Sequence, residues 1–218
     1  MVIYTVGHST RPIEAFLDLL DAHGITRLAD IRTVPRSRRH PQFASEALSQ
    51  SLASIGVEYR HLPGLGGLRK PRRDSPNAAW RHEGFRGYAD YMETPAFEAA
   101  LSELIQWASE ETGWTCRSTP TDSVAADLRV RRNRVPSGGG APRVARGGGA
   151  PRVVIMCAEA VWWRCHRQLV SDALVARGID VRHIMSSPDA PPHTLTRFAR
   201  IVDGRVSYRG LLSAEPSR

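Results

Sequence analysis

Val153-Val-Ile-Met-Cys-Ala-Glu-Ala-Val-Trp-Trp-Arg-Cys-His-Arg167 decides how this chain is read. Residues 153–156 are a short, β-branched apolar run, the pattern of a strand buried on both faces. Cys157 falls where that strand should end. From about Trp163 the spacing turns helical, with Leu169, Val170, Ala173, Leu174 and Arg177 recurring at threes and fours until Gly178 closes the helix. Cys165 and His166 fall four residues before Leu169 and Val170, so they share the inward face of its first turn. Two thiols, an imidazole, Glu159, Arg164 and Arg167 therefore gather at one strand-to-helix turn, which is where open α/β sheets bind ligands.

Working outward, residues 2–6 read as a first buried strand ending in Gly7-His8-Ser9-Thr10. Pro12 takes the first turn of a helix capped by Ser or Thr, with Ile13, Phe16, Leu17 and Leu20 inward and a stop near Gly24. Residues 27–31 give a second strand, and this β-α-β order implies parallel strands joined by a right-handed crossover. A basic loop (33–43), a short helix (45–55) and a third strand (57–62) follow, the strand running into Gly64, Gly66 and Gly67. That glycine cluster lacks a dinucleotide fingerprint and reads as a turn. Residues 69–86 read as a long ordered or lid-like loop anchored by Trp80 and Phe85. Helix signals at 88–92 and 95–111 come next; beyond the central turn lie a strand at 180–184 and a hairpin about Asp203-Gly204. The expected fold is a single α/β domain with a mostly parallel sheet flanked by helices, plus a C-terminal β-hairpin. It spans residues 1–112 and 153–210.

Residues 113–152 break the rhythm. They are rich in Arg, Gly and Pro and repeat Gly-Gly-Gly-Ala-Pro-Arg-Val, a composition that reads as a disordered insertion. Residues 211–218 read as a frayed tail. The insertion holds eight arginines against Asp122 and Asp127, which is +6 of the chain's net +8, so the basic charge says little about the folded domain. Three unevenly spread cysteines argue against a disulfide framework. No apolar run approaches a membrane span and the N-terminus lacks a secretory layout, so a cytoplasmic setting without membrane is expected.

If the strands are parallel, His8, Asp30 with Arg32, the Gly-rich turn, and Cys157 with Glu159 emerge on one sheet edge and make one crevice. Taken together, Thr5-Val-Gly-His-Ser9, Asp30-Ile-Arg32 with Pro35-Arg-Ser-Arg38, Leu62-Pro-Gly-Leu-Gly-Gly67, Phe85-Arg-Gly-Tyr88 and Cys157-Ala-Glu159 with Cys165-His-Arg167 resemble domain-of-unknown-function family 488. The resemblance covers nearly all the chain outside 113–152 and implies a small bacterial-type α/β protein, with no established activity attached.

The expected function is an enzyme acting on a small anionic, phosphate- or nucleotide-like substrate. Cys157, His166, His8 and Glu159 are the candidate catalytic residues. Arg32, Asp30, Arg167, Arg36 and Arg38 are the candidates for shaping the crevice and holding the anion. Each residue has a plainer reading. Cys157 could be a small buried strand end, His8 a loop-orienting residue, Asp30 and Arg32 an internal ion pair, and the tryptophans packing. A zinc or iron ion on His8, Cys157 and Cys165 is a further option, although Cys-x-x-Cys spacing is missing. Cys165 and His166, being adjacent, do not easily reach one ion from a regular helix. The rival class is a nucleic-acid-binding or regulatory module, using Arg36, Arg38, Arg39, Lys70, Arg72 and Arg73 with Trp80 and Tyr88 as stacking faces.

Overall fold

The computed structural model describes residues 1–36, 39–110 and 150–209. Arg38, the expected insertion apart from its last three residues, and the expected tail lie outside them. Five parallel strands form the sheet: β1 (Val2–Gly7), β2 (Arg27–Asp30), β3 (Glu58–His61), β4 (Val153–Cys157) and β5 (Asp180–Ile184). Their spatial order is β3-β2-β4-β1-β5, which puts the apolar run of 153–157 at the centre, buried on both faces.

Side-chain alternation along these strands builds two cores. Tyr4, Val6, Leu28, Val154 and Met156 meet α1 (Ile13–Ala22) and α2 (Ser45–Ala53) through Phe16, Leu20, Leu48 and Leu52. Ile3, Ala29, Val153 and Ile155 face the opposite layer of α3 (Glu83–Met92), α4 (Pro95–Ser109) and α5 (Arg167–Val175). A short antiparallel pair, β6 (Arg200–Val202) and β7 (Arg205–Ser207), completes the chain. Its turn residues Asp203 and Gly204 both have positive φ (49° and 72°), as a two-residue hairpin turn requires. Gly178 (φ 73°) ends α5 in the left-handed conformation, with Ile179 N–H returning to the Leu174 carbonyl. No helix among the described residues is long and apolar enough to cross a membrane.

Three local expectations need correction. Helix α3 starts at Glu83, so it takes in residues that read as loop. The stretch before it takes the ordered form of the two expected: the Arg72 backbone N–H, the Ser75 hydroxyl and the Asn77 side-chain amide all donate to the Asp90 carboxylate. Helix α5 starts at Arg167, not near Trp163. A single 3-10 turn (Trp162–Arg164) comes first, and Cys165 is then fully extended (φ −130°, ψ 151°). Finally, α1 has no Ser/Thr cap; Pro12 itself occupies the capping position.

Candidate active site

Adjacent strands β1 and β4 send their chains to opposite faces of the sheet, β1 into α1 and β4 into α5. Such a reversal opens a crevice beyond the strands' C-terminal ends. Backbone bonds continue past the strands themselves. His8 N–H donates to the Cys157 carbonyl (3.1 Å), Ser9 N–H to Ala158 (2.9 Å) and Ile31 N–H to Met156 (3.0 Å). These bonds hold the three strand ends level. Gly7 is needed here, because a Cβ at that position would come 1.9 Å from the Glu159 carbonyl oxygen. The result is a cleft of about 580 Å³, lined by His8, Arg32, Gly67, Cys157, Glu159 and His166, with Arg36, Arg39 and His40 also on its wall.

Cys157 and His166 form the floor of that cleft, with Cys165 beside them. Both thiols are free and buried. The sulfur of Cys157 lies 3.9 Å and that of Cys165 3.7 Å from Nδ1 of His166. The other ring nitrogen, Nε2, is 3.2 Å from the Ile31 carbonyl oxygen. A carbonyl only accepts, so Nε2 carries hydrogen and Nδ1 is the atom turned to the sulfurs. It presents a lone pair when the ring is neutral and donates to a thiolate when the ring is charged. The extended Cys165 lets two adjacent side chains converge on one point, which a regular helix would have prevented.

The two thiols share a proton unequally. The hydrogen bond between them raises the Cys157 thiol well above its ordinary value, with burial adding to the effect. The same bond, with help from His166 and Arg167 and against the cost of burial, draws the Cys165 thiol well below its ordinary value. The two thiols therefore titrate as one pair.

Arg167 lies behind the pair, fully buried. Its guanidinium donates to the carbonyls of Glu159 and Ala160, while Nε finds no partner among the described residues. No carboxylate among them pairs with it either. A buried cation needs a compensating anion. A thiolate at Cys165, which the Arg167 charge favours, would supply it.

Arg32 and Asp30 make a buried two-point ion pair, Nε to Oδ1 at 2.8 Å and Nη2 to Oδ2 at 2.5 Å. Nη2 also donates to the Phe43 carbonyl, and Nη1 lies 3.3 Å from Nε2 of His8. Four of the five guanidinium N–H groups are therefore engaged. His8 Nδ1 faces the Ser9 carbonyl (2.9 Å), and its ring stacks on Phe43 with centroids 4.2 Å apart. Burial, reinforced by Arg32, lowers His8 to about 4, so it is neutral at pH 7 and its Nε2 accepts from Arg32. For that reason His8 does not join the cysteines, as the metal option expected. The third donor beside Cys157 and Cys165 is His166, and the three ligand atoms lie within 4.8 Å of one another.

The sequence profile described as "Domain of unknown function DUF488" matches residues 12–121 and 139–174. The chain belongs to this family. No curated protein and no solved structure is matched by it. The DUF488 match includes Asp30, Arg32, Gly67, Cys157, Cys165, His166 and Arg167, and it begins after His8.

Other sequence candidates in this DUF488 chain take places different from those expected. Glu159 is exposed on the cleft lining, and it is its carbonyl that holds Arg167. Trp80 and Tyr88, proposed as stacking faces for bases, are buried at 8% and 1% exposure, and the Tyr88 hydroxyl donates to the Leu65 carbonyl. Neither ring can stack on a nucleotide. Sequence reasoning placed Gly67 at the crevice only as part of a turn and missed its contact with the His166 ring, as it missed the Ile31 carbonyl; both depend on contacts far apart along the chain. It also missed a buried polar chain linking Thr5, His183, His193 and Asp172 at 2.8 to 2.9 Å per step.

Proposed function

We propose that the chain is an enzyme acting on a small anionic, phosphate-bearing substrate in the cleft at the C-terminal edge of the sheet. One observation carries this reading: Cys157 and His166 share a single cleft with the exposed guanidinium groups of Arg36 and Arg39. Arginine forks bind phosphate with charge-assisted hydrogen bonds, and the thiol–imidazole pair supplies reactivity at the point where such an anion would rest. Arg32, largely neutralised by Asp30, contributes one remaining N–H, and Arg167 acts from behind through its charge. Cys157, the one of the two thiols that lines the cleft, is assigned as the reacting group once Nδ1 of His166 takes its proton. His8 keeps Arg32 in place, and Glu159 sets the charge of the facing wall.

The test is calorimetric titration with inorganic phosphate at low ionic strength, followed by a turnover screen on phosphate monoesters and nucleotides. Replacing both arginines (Arg36→Ala with Arg39→Ala) is expected to weaken phosphate binding by on the order of 10-fold or more. Cys157→Ser is expected to retain phosphate binding and lose turnover. Equal phosphate affinity in the double-arginine variant would overturn the reading.

A further inference from the structure

We infer that Cys157, Cys165 and His166 form a three-ligand zinc site whose fourth position opens into the cleft. This rests on the reading of the cleft as an anion site and changes one part of it: the thiols meet the substrate through a metal ion instead of as free nucleophiles.

The distances fit the ion. Tetrahedral zinc, with bonds of about 2.3 Å to sulfur and about 2.05 Å to nitrogen, places its sulfur and nitrogen ligands about 3.6 Å apart. The two sulfur-to-Nδ1 separations are 3.9 and 3.7 Å, so small side-chain rotations would close the site. Two thiolates and one imidazole are also a donor set that selects zinc over the harder divalent ions.

The surroundings fit as well. A histidine ligand usually donates its other ring N–H to a carbonyl or carboxylate, which fixes both tautomer and ring angle. His166 does this through Nε2 and the Ile31 carbonyl at 3.2 Å. Gly67 packs against the same ring. A Cβ there would stand 2.9 Å from Nδ1 of His166, and the three nearest atoms it would meet all belong to that ring. The Gly67 carbonyl is held by the Thr33 hydroxyl at 2.9 Å, so the glycine cannot easily withdraw, and its missing side chain is what lets the His166 ring keep its position.

Charge settles what the fourth position takes. Two thiolates offset one divalent ion, which leaves the buried Arg167 cation without a counter-charge among the described residues. An anion in the open position restores neutrality, in keeping with the phosphate-bearing substrate class.

The experiment uses the full chain, purified reduced and metal-free, and titrated with zinc against a chromophoric chelator and separately with cobalt(II). The expected result is one ion per chain. Cobalt should give a near-ultraviolet sulfur-to-metal charge-transfer band and the intense visible bands of a four-coordinate site. Cys157→Ser, Cys165→Ser and His166→Ala should each weaken zinc by on the order of 100-fold or more. Gly67→Ala keeps all three ligands and should weaken zinc by about 10-fold or more while the unfolding transition stays cooperative. Inorganic phosphate should perturb the visible cobalt bands. Absence of the charge-transfer band, or zinc affinity indifferent to both cysteine substitutions, would overturn the metal site. Phosphate that still binds metal-free protein in that case leaves the anion cleft standing. A normal cobalt spectrum untouched by phosphate would remove the anionic fourth ligand.

Discussion

Asp30 shows how much of this cleft rests on single groups. Its fully buried carboxylate takes the Arg32 guanidinium at two points, the Arg32 backbone N–H at 3.1 Å and the Tyr59 hydroxyl at 2.9 Å. Removing the charge leaves a buried guanidinium without its anion, which costs about 3–5 kcal/mol. Asp30→Asn is expected to lower stability by that amount in urea unfolding, and Tyr59→Phe by about 1 kcal/mol. Similar losses for the two variants would remove the ion pair from its central place. Gly7 makes a different demand. Any Cβ there would overlap the Glu159 carbonyl at 1.9 Å, and both partners are backbone in a packed turn. Gly7→Ala should therefore cost about 3 kcal/mol. It should also weaken phosphate binding, since the 158–160 turn that must move lines the cleft.

At the scale of elements, α5 is tied to β5 and β1 by the buried polar chain. The Asp172 carboxylate accepts from His193 Nε2 (2.8 Å) and from the Tyr208 hydroxyl (2.6 Å). His193 Nδ1 meets His183 Nε2 at 2.9 Å, and His183 Nδ1 meets the Thr5 hydroxyl at 2.8 Å. Burial, with the nearby His193 and Arg167, lowers His183 to about 3. The unfolded chain takes up this proton as pH falls through about 6.5, while the native state refuses it until about 3. The stability from keeping His183 neutral is thus fully present above pH 6.5 and is lost progressively as pH falls toward 3. Thermal-unfolding midpoints measured from pH 7 to pH 4 should fall, and His183→Gln should make that slope shallower. An unchanged slope would show that His183 is not titrating in this way. The same chain explains why the break at Cys165 was not legible in the sequence. The helical spacing runs on through residues 163–166, yet Trp162 lies flat on His183, centroids 4.0 Å apart and planes at 4°. Through that stack, β5 holds the turn apart from α5. The start of α3 was hidden for a related reason: the polar run before it is ordered by Asp90, a carboxylate with no local signature.

At the scale of the molecule, the parts that local pattern determines could be read directly. Strands β1, β4 and β5 announce themselves as short runs rich in β-branched residues, and Asp203-Gly204 marks its hairpin because few residues accept positive φ. A parallel sheet then places the ends of β1, β2 and β4 on one edge, so His8, Arg32, Cys157 and His166 meet at one cleft, with Asp30 buried behind Arg32, although they are spread over much of the chain. What each group does on arrival depends on partners that no local pattern names. Arg32 and Arg167 turn inward to Asp30 and to backbone carbonyls, which leaves Arg36 and Arg39 as the exposed guanidinium groups on the lining among the described residues. The central claim is that a small anion rests over the Cys157 thiol. It is tested most directly by mass-spectrometric timing of iodoacetamide labelling at each cysteine of the reduced, metal-free protein, with and without inorganic phosphate. The account predicts that phosphate slows labelling of Cys157 and that Arg36→Ala with Arg39→Ala abolishes this protection. Labelling of Cys157 at the same rate with and without phosphate would contradict it.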